Sequence, residues 1–391
     1  MKKKNSVIVT LIVTLVILAL AAFIFVQPYL NTTAFTADEN IASFLGQAFG
    51  KYPRFINEKD FEKVEVLEIG SSDGYQFVSI GLDGFIEKRD AYLEAYDNAT
   101  AEGLEAPEMP DFSKELFSFQ TDAGVENFVG IEKFKNLVEV SVMAEAFPVT
   151  ANLEEFKGAA KLESLSITSD PAEDAVKIDD ISALADKTAL KTLSLANNNI
   201  SDISALSGLV NLEAVALDSN AISDISALSG KDKITSLSLT TNDISDISVL
   251  STMPALETVS LDENQITDIS AISNIETITT LSVGNNSITD ITPITTLKNL
   301  YIVSLSGNAI TDISPLSAFK DSTAQMYILL SENEGINDWS VADALPENIM
   351  IVGKPEAQAT TDETVAPDET AEAQPEAEAT EEQAEQTEVN E

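Results

Sequence analysis

Between Leu190 and Asp321 the apolar residues keep one rhythm. LKTLSLANNNISDISALSGLVN, starting at Leu190, is followed without a gap by LEAVALDSNAISDISALSGKDK, ITSLSLTTNDISDISVLSTMPA, LETVSLDENQITDISAISNIET, ITTLSVGNNSITDITPITTLKN and LYIVSLSGNAITDISPLSAFKD, each 22 residues long. In every unit two aliphatic positions, Leu193 and Leu195 in the first, alternate with small polar ones, the period-two pattern of a half-buried strand. Further aliphatics follow at steps of about three, through Ile200, Ile203 and Leu206, with no break long enough for a loop. One such unit cannot bury its own apolar edge, so successive units must stack.

The polar columns divide into two structural duties. Asn198, Asn220, Asn242, Asn264, Asn286 and Asn308 fall at the bend after each strand, where an amide can donate to and accept from main chain of adjacent turns; they are expected to form an asparagine ladder. Asp202, Asp224, Asp246, Asp268, Asp290 and Asp312 lie in S/T-D-I-S/T segments and are expected to cap a short helical turn on the far side of each unit. A metal-binding row of these carboxylates is the weaker reading, because one per turn is too few ligands and the glycine-rich loops of calcium-binding arrays are missing. A period of 20–29 residues with L-x-x-L-x-L-x-x-N marks a leucine-rich repeat. The fold class expected is therefore an α/β solenoid, a leucine-rich-repeat horseshoe.

The array continues in degenerate form on both sides. Leu137, Val140 and Val142 open one irregular turn, and Leu162, Leu165 and Ile167 open another that carries six extra residues around PAEDAV. Downstream, Ile328, Leu330, Asn333 and Ile336 form a distorted turn, and Trp339 with Ile349–Val352 is expected to close the open end. About nine turns result. Between the N-terminal part and the array, Asp73-Gly74 and Asp83-Gly84 flank a strand-like run, and IEKRDAYLEAYDNA reads as a helix with Tyr92 and Tyr96 on one face, either packed onto the first turns or available for binding.

Composition narrows the chemistry. The chain has no His and no Cys among 391 residues, which removes imidazole acid–base catalysis, thiolate nucleophiles, disulfides and His/Cys zinc sites. Carboxylate-pair hydrolysis survives in principle, but no pair can be singled out, so no catalytic residue, cofactor or metal ligand is expected and the chain reads as non-enzymatic. A formal net charge of −43 without a basic cluster beyond the first four residues excludes nucleic acid.

The first residues read MKKK, and Val7 to Val26 run for twenty residues without a charge, about 30 Å of helix, enough to cross a hydrocarbon core. With Lys2, Lys3 and Lys4 inside, everything after Gln27 would lie outside a cell membrane, as a single-pass anchor. A cleaved signal peptide, with Ala19-Leu20-Ala21 as the cleavage pattern, would give a secreted chain instead. Residues 354–391 contain thirteen acids and one Lys with almost no large apolar residue, and are expected to form a disordered acidic tail. The segments expected are thus an anchor or signal peptide over 1–30, an N-terminal helical cap over 31–70, an insertion over 71–113, the solenoid over 114–352 and the tail over 353–391.

The 22-residue unit with its N-x-I-x-D-I-x-x-L segment closely resembles the internalin-type, SDS22-like leucine-rich repeats of bacterial surface proteins. ENIASFLGQAFGKYPRFINEKDFEKVEVLEIG, Glu39 to Gly70, resembles the helical cap and first strand that precede such arrays. The resemblance implies a bacterial protein that recognises other proteins through the concave face of the sheet. Its tail lacks the L-P-x-T-G sorting signal of wall-linked members, so attachment would be N-terminal.

The expected concave columns read Thr192, Ala214, Ser236, Thr258, Thr280, Ile302 and Ser194, Ala216, Ser238, Ser260, Ser282, Ser304. Interface anchors favour Trp, Tyr and Arg, and this floor offers mainly Tyr301. Candidate partner contacts on or beside these strands are Tyr301, Glu213, Glu257, Asp218, Asp262 and Thr240. A protein partner, or a carbohydrate, is expected, with acidity favouring a basic one. The small floor also fits a structural spacer of the cell envelope with no soluble ligand.

Overall fold

The computed structural model describes residues 63–72, 75–102, 104, 106–110, 116–121, 134–142, 153–169 and 177–355, with main chain alone for 69–78, 102 and 116–121. The apolar segment 7–26, the cap helix expected from Glu39 and the tail from 356 lie outside these residues. No helix among the described residues is long and apolar enough to cross a membrane.

A single open sheet of thirteen strands organises the described chain. β1 (Val64–Ser72) pairs in parallel with β4 (Glu139–Val142), which continues through β5 (Ser164–Ile167), β6 (Thr192–Ser194), β7 (Ala214–Ala216), β8 (Ser236–Ser238), β9 (Thr258–Ser260), β10 (Thr280–Ser282), β11 (Ile302–Ser304), β12 (Met326–Leu329) and β13 (Ile349–Val352). The nine turns read from the sequence are joined by one parallel strand at each end. β2 (Tyr75–Leu82) and β3 (Leu116–Thr121) add antiparallel strands beyond β1. Ser72 pairs with Tyr75, so Asp73 and Gly74, outside the described residues, join β1 to β2. β1 therefore runs through the expected border between cap and insertion.

The regular turns obey the column logic. Leu193 and Leu195 with Ile200, Ile203, Leu206 and Leu209 are at most 1 % exposed, and their equivalents in the following turns continue the same core. Each turn closes on a short 3-10 segment opposite its strand, such as Ser204–Leu206. Two lysines occupy this apolar stack unexpectedly. Lys187 and Lys231 stand where neighbouring turns have Leu209 and Met253, their stems buried and their amines reaching the carbonyls of Lys157 (3.1 Å) and Ser207 (2.6 Å).

Asn242 shows the ladder. Its Nδ2 donates to the carbonyls of Leu217 (3.0 Å), Leu239 (3.0 Å) and Thr240 (3.3 Å), while its Oδ1 accepts from the Ile222 N–H (3.0 Å), so two turns share one side chain. Asn198, Asn220, Asn264, Asn286, Asn308 and Asn333 repeat the pattern. At Asn198 the Ser169 hydroxyl also donates to Oδ1 (2.7 Å).

The residue before each ladder Asn bends left-handed. Asn197, Ser219, Thr241, Glu263, Asn285 and Glu332 have φ between 51° and 60° and Gly307 has 68°, a conformation that suits Gly307, Asn197 and Asn285 but not Ser219, Thr241, Glu263 or Glu332. The composition of the column marks it only in part, since Ser, Thr and Glu stand there beside Asn and Gly.

Candidate recognition surface

The sheet has one face toward the core and one turned outward, and the outward face is where the candidate contacts fall. At its N-terminal end the chain covers that face itself. Helix α1 (Phe85–Glu102) packs over β1 and β2 with Phe85, Arg89 and Leu93 buried, the i, i+4, i+8 stripe of one helix face. A Cβ on Gly81 would meet Phe85 at 2.8 Å and Val66 at 2.9 Å, so the glycine admits the helix. Arg89 reaches across to Glu139 on β4 with a forked pair of bonds (2.5 and 2.7 Å) and also contacts Asp90. Burial weighs against the guanidinium's charge, but the bonds and charges of Glu139 and Asp90 outweigh it and hold its pKa above the usual range. Tyr92 and Tyr96 are half-buried against each other, ring centroids 6.2 Å apart, and are not on the buried stripe.

Two residues along β1 from Val66, on the same side of the strand, Glu68 is 3 % exposed, with Oε2 lacking a partner among the described residues. Burial pushes its carboxyl up to about 7. Alternation along β1 gave no warning of it, since a Glu after Leu67 looks like an ordinary outward polar residue.

From β5 to β10 the outward rows are small. Ser164, Thr192, Ala214, Ser236, Thr258 and Thr280 stand in register, as do Ser166, Ser194, Ala216, Ser238, Ser260 and Ser282. Asp218 and Asp262, two of the candidate contacts, have structural work here. Asp218 Oδ1 accepts from the Ser238 hydroxyl and the Thr240 N–H (2.9 Å), and Asp262 Oδ1 accepts from the Ser282 hydroxyl (2.7 Å) and the Gly284 N–H (2.6 Å). Thr240, a third candidate, is thus tied to Asp218. Glu213 is exposed and Glu257 half-buried, each immediately before its strand.

The last three strands differ in kind. The first outward row becomes Ile302, Tyr327 and Met350, and the second becomes Ser304, Leu329 and Val352. Tyr301, 43 % exposed, sets its ring edge-on to Tyr327 at 5.4 Å and 84°. Partial desolvation and the neighbouring phenol raise the pKa of Tyr301. Met350 is 55 % and Val352 43 % exposed. Tyr301 is thus the one candidate that belongs to a cluster of anchors. Its companions were missed because strands β12 and β13 are irregularly spaced, so their outward rows cannot be aligned without the pairing register.

The opposite surface carries the Asp column, whose members each accept the N–H two residues on: Ser204 to Asp202 (2.8 Å) and Ser248 to Asp246 (2.8 Å), for example. Those bonds lower the pKa of Asp202, Asp224, Asp246, Asp290 and Asp312. They cap the 3-10 turns as expected. Among the described residues no group of three or more carboxylates is placed to hold a metal ion.

Residues 188–230 and 276–318 match the family model "Leucine Rich repeats (2 copies)". No curated protein matches the chain in sequence. Among solved structures, an internalin C2 from Listeria monocytogenes is 22% identical, with a TM-score of 0.50, over 71% of this chain and all of the other. An internalin, inlF, from the same organism is 21% identical, with a TM-score of 0.53, over 81% of this chain and 83% of the other. These likenesses establish a shared fold.

Proposed function

We propose, from the premise that this chain is a leucine-rich-repeat protein with an internalin-like fold, that it is a non-catalytic binding protein which recognises another protein through the outward, concave face of its sheet. The observation that carries this reading is the cluster Tyr301, Ile302, Tyr327, Leu329, Met350 and Val352, where large apolar side chains replace the Ser/Thr floor on a face otherwise built of small residues. Clustered exposed anchors of this kind mark interaction sites. Glu213 and Glu257 supply acidity beside the floor, which suits a basic partner. Export by residues 7–26 would put this face outside the cell.

A photo-reactive residue at Ser304, at the head of the row that continues through Leu329 and Val352, should crosslink one partner reproducibly, and the same probe at Asp246 on the opposite surface should not. Tyr301→Ala should weaken capture at least tenfold, and Glu213→Lys with Glu257→Lys more modestly. Equal crosslinking from both surfaces would sink the reading. The Ser/Thr/Ala floor over β5 to β10 favours a second reading, a spacer in the cell envelope; it predicts no crosslink from Ser304.

A further inference from the structure

β13 ends the sheet among the described residues, pairing with β12 on one side only. Exposed sheet edges are usually blunted by charge, proline or a bulge. The sequence Ile349-Met350-Ile351-Val352 has none of these, its nearest charges being Glu347 and Lys354 outside the strand. The carbonyls of Asn348 and Val352 accept from Met326 (3.0 Å) and Leu330 (2.8 Å), so the parallel alternation turns the Ile351 main-chain groups toward the open side. Ile349 faces the core, while Met350 and Val352 carry the two outward apolar rows to the last strand. Beside them Gln325, Tyr327, Glu347 and Met350 line a groove across the start of β12 and β13.

The surroundings are acidic. Glu332, Glu334, Asp338, Asp343 and Glu347 are exposed on the last turn, Lys354 is already paired with Asp343, and thirteen acids follow in the sequence from Glu356. A second copy would bring the same carboxylates to the same edge.

We propose that β13 accepts an extended segment of another protein as an added strand, one in which apolar residues alternate with Lys or Arg. Main-chain bonds to Ile351 hold it, its apolar residues cover Met350 and Val352, and its cations meet Glu347 and the neighbouring acids. The proposal rests on the outward face being a recognition surface, because that face's apolar rows end here.

The test uses the full chain and a fluorescent seven-residue peptide alternating Lys and Val, read by anisotropy at about 0.15 M salt, with circular dichroism to confirm that each variant is folded. Two twins of the peptide are N-methylated, one at its valines and one at its lysines. Binding should be lost at least tenfold with one twin and kept with the other, since only alternate amides of an added strand face its neighbour. Met350→Asp should also weaken it at least tenfold, whereas simple attraction between opposite charges predicts tighter binding to that variant. Equal binding of all three peptides, tighter binding to Met350→Asp, or no binding at millimolar peptide overturns the proposal. Loss with Tyr301→Ala but not with Met350→Asp overturns it too while leaving the outward-face reading intact. A concentration-dependent dimer abolished by Met350→Asp would show that a second copy takes the edge, which also overturns it.

Discussion

The two ends of the outward face solve one problem in opposite ways. Around β1 and β2 that face is sealed by α1, with Phe85 wedged against Gly81 and Val66, and Arg89 strapped to Glu139. Around β11 to β13 the large outward residues Tyr301, Tyr327, Met350 and Val352 have no helix over them among the described residues. The chain therefore covers this face at one end and leaves it bare at the other. Leaving the other end bare is then informative, because solvent-exposed apolar clusters cost solubility unless something covers them.

The largest effect is expected in the regular array that lies between these ends. Asn242→Ala leaves the Ile222 N–H without its partner and takes one of two donors from each of the Leu217, Leu239 and Thr240 carbonyls, and is expected to cost about 2–3 kcal/mol, seen as a lowered midpoint in urea. Because each turn contacts only its neighbours, the loss should also split unfolding into two phases.

At the roofed end, Arg89→Ala leaves the Glu139 carboxylate without its forked partner and should cost about 3 kcal/mol. Hydrogen exchange should show α1 deprotected and the turns from Leu190 to Asp321 unchanged; uniform deprotection would mean that lid and array are one cooperative unit.

Glu68 sharpens the contrast through pH. Its pKa is raised in the folded protein, so the neutral form is the one that fits its buried position; stability is full below the ordinary value of 4.5 and lost as pH rises through about 7. Glu68→Gln should therefore leave the thermal midpoint unchanged at pH 4 and raise it at pH 8, by the equivalent of roughly 1–3 kcal/mol. The capping Asp column works in the reverse sense: lowered pKa values give stability that is present above the usual carboxylate range and lost as pH falls through the lowered values. Opposite slopes from the two regions should appear in one titration.

The smallest effect belongs to backbone strain. Thr241→Gly relieves a β-branched residue at φ 55° and should stabilise the array by about 1 kcal/mol, read from the same urea midpoint.

The repeat, the inward columns, the asparagine ladder and the Asp caps follow from the amino-acid order alone, because each depends on contacts at a fixed 22-residue spacing that can be counted along the chain. The same order also identifies Tyr301 as an exception in the outward rows. Tertiary structure alone decided what pairs across irregular spacing: that Met350 and Val352 continue the rows of Ile302 and Ser304, that Asp218 and Asp262 brace neighbouring turns, that Lys187 and Lys231 thread the core, and that Glu68 is buried. The physical reason is the same in each case. Where the period holds, register follows from counting; where it is interrupted, register follows from hydrogen bonds and packing that only the folded chain makes.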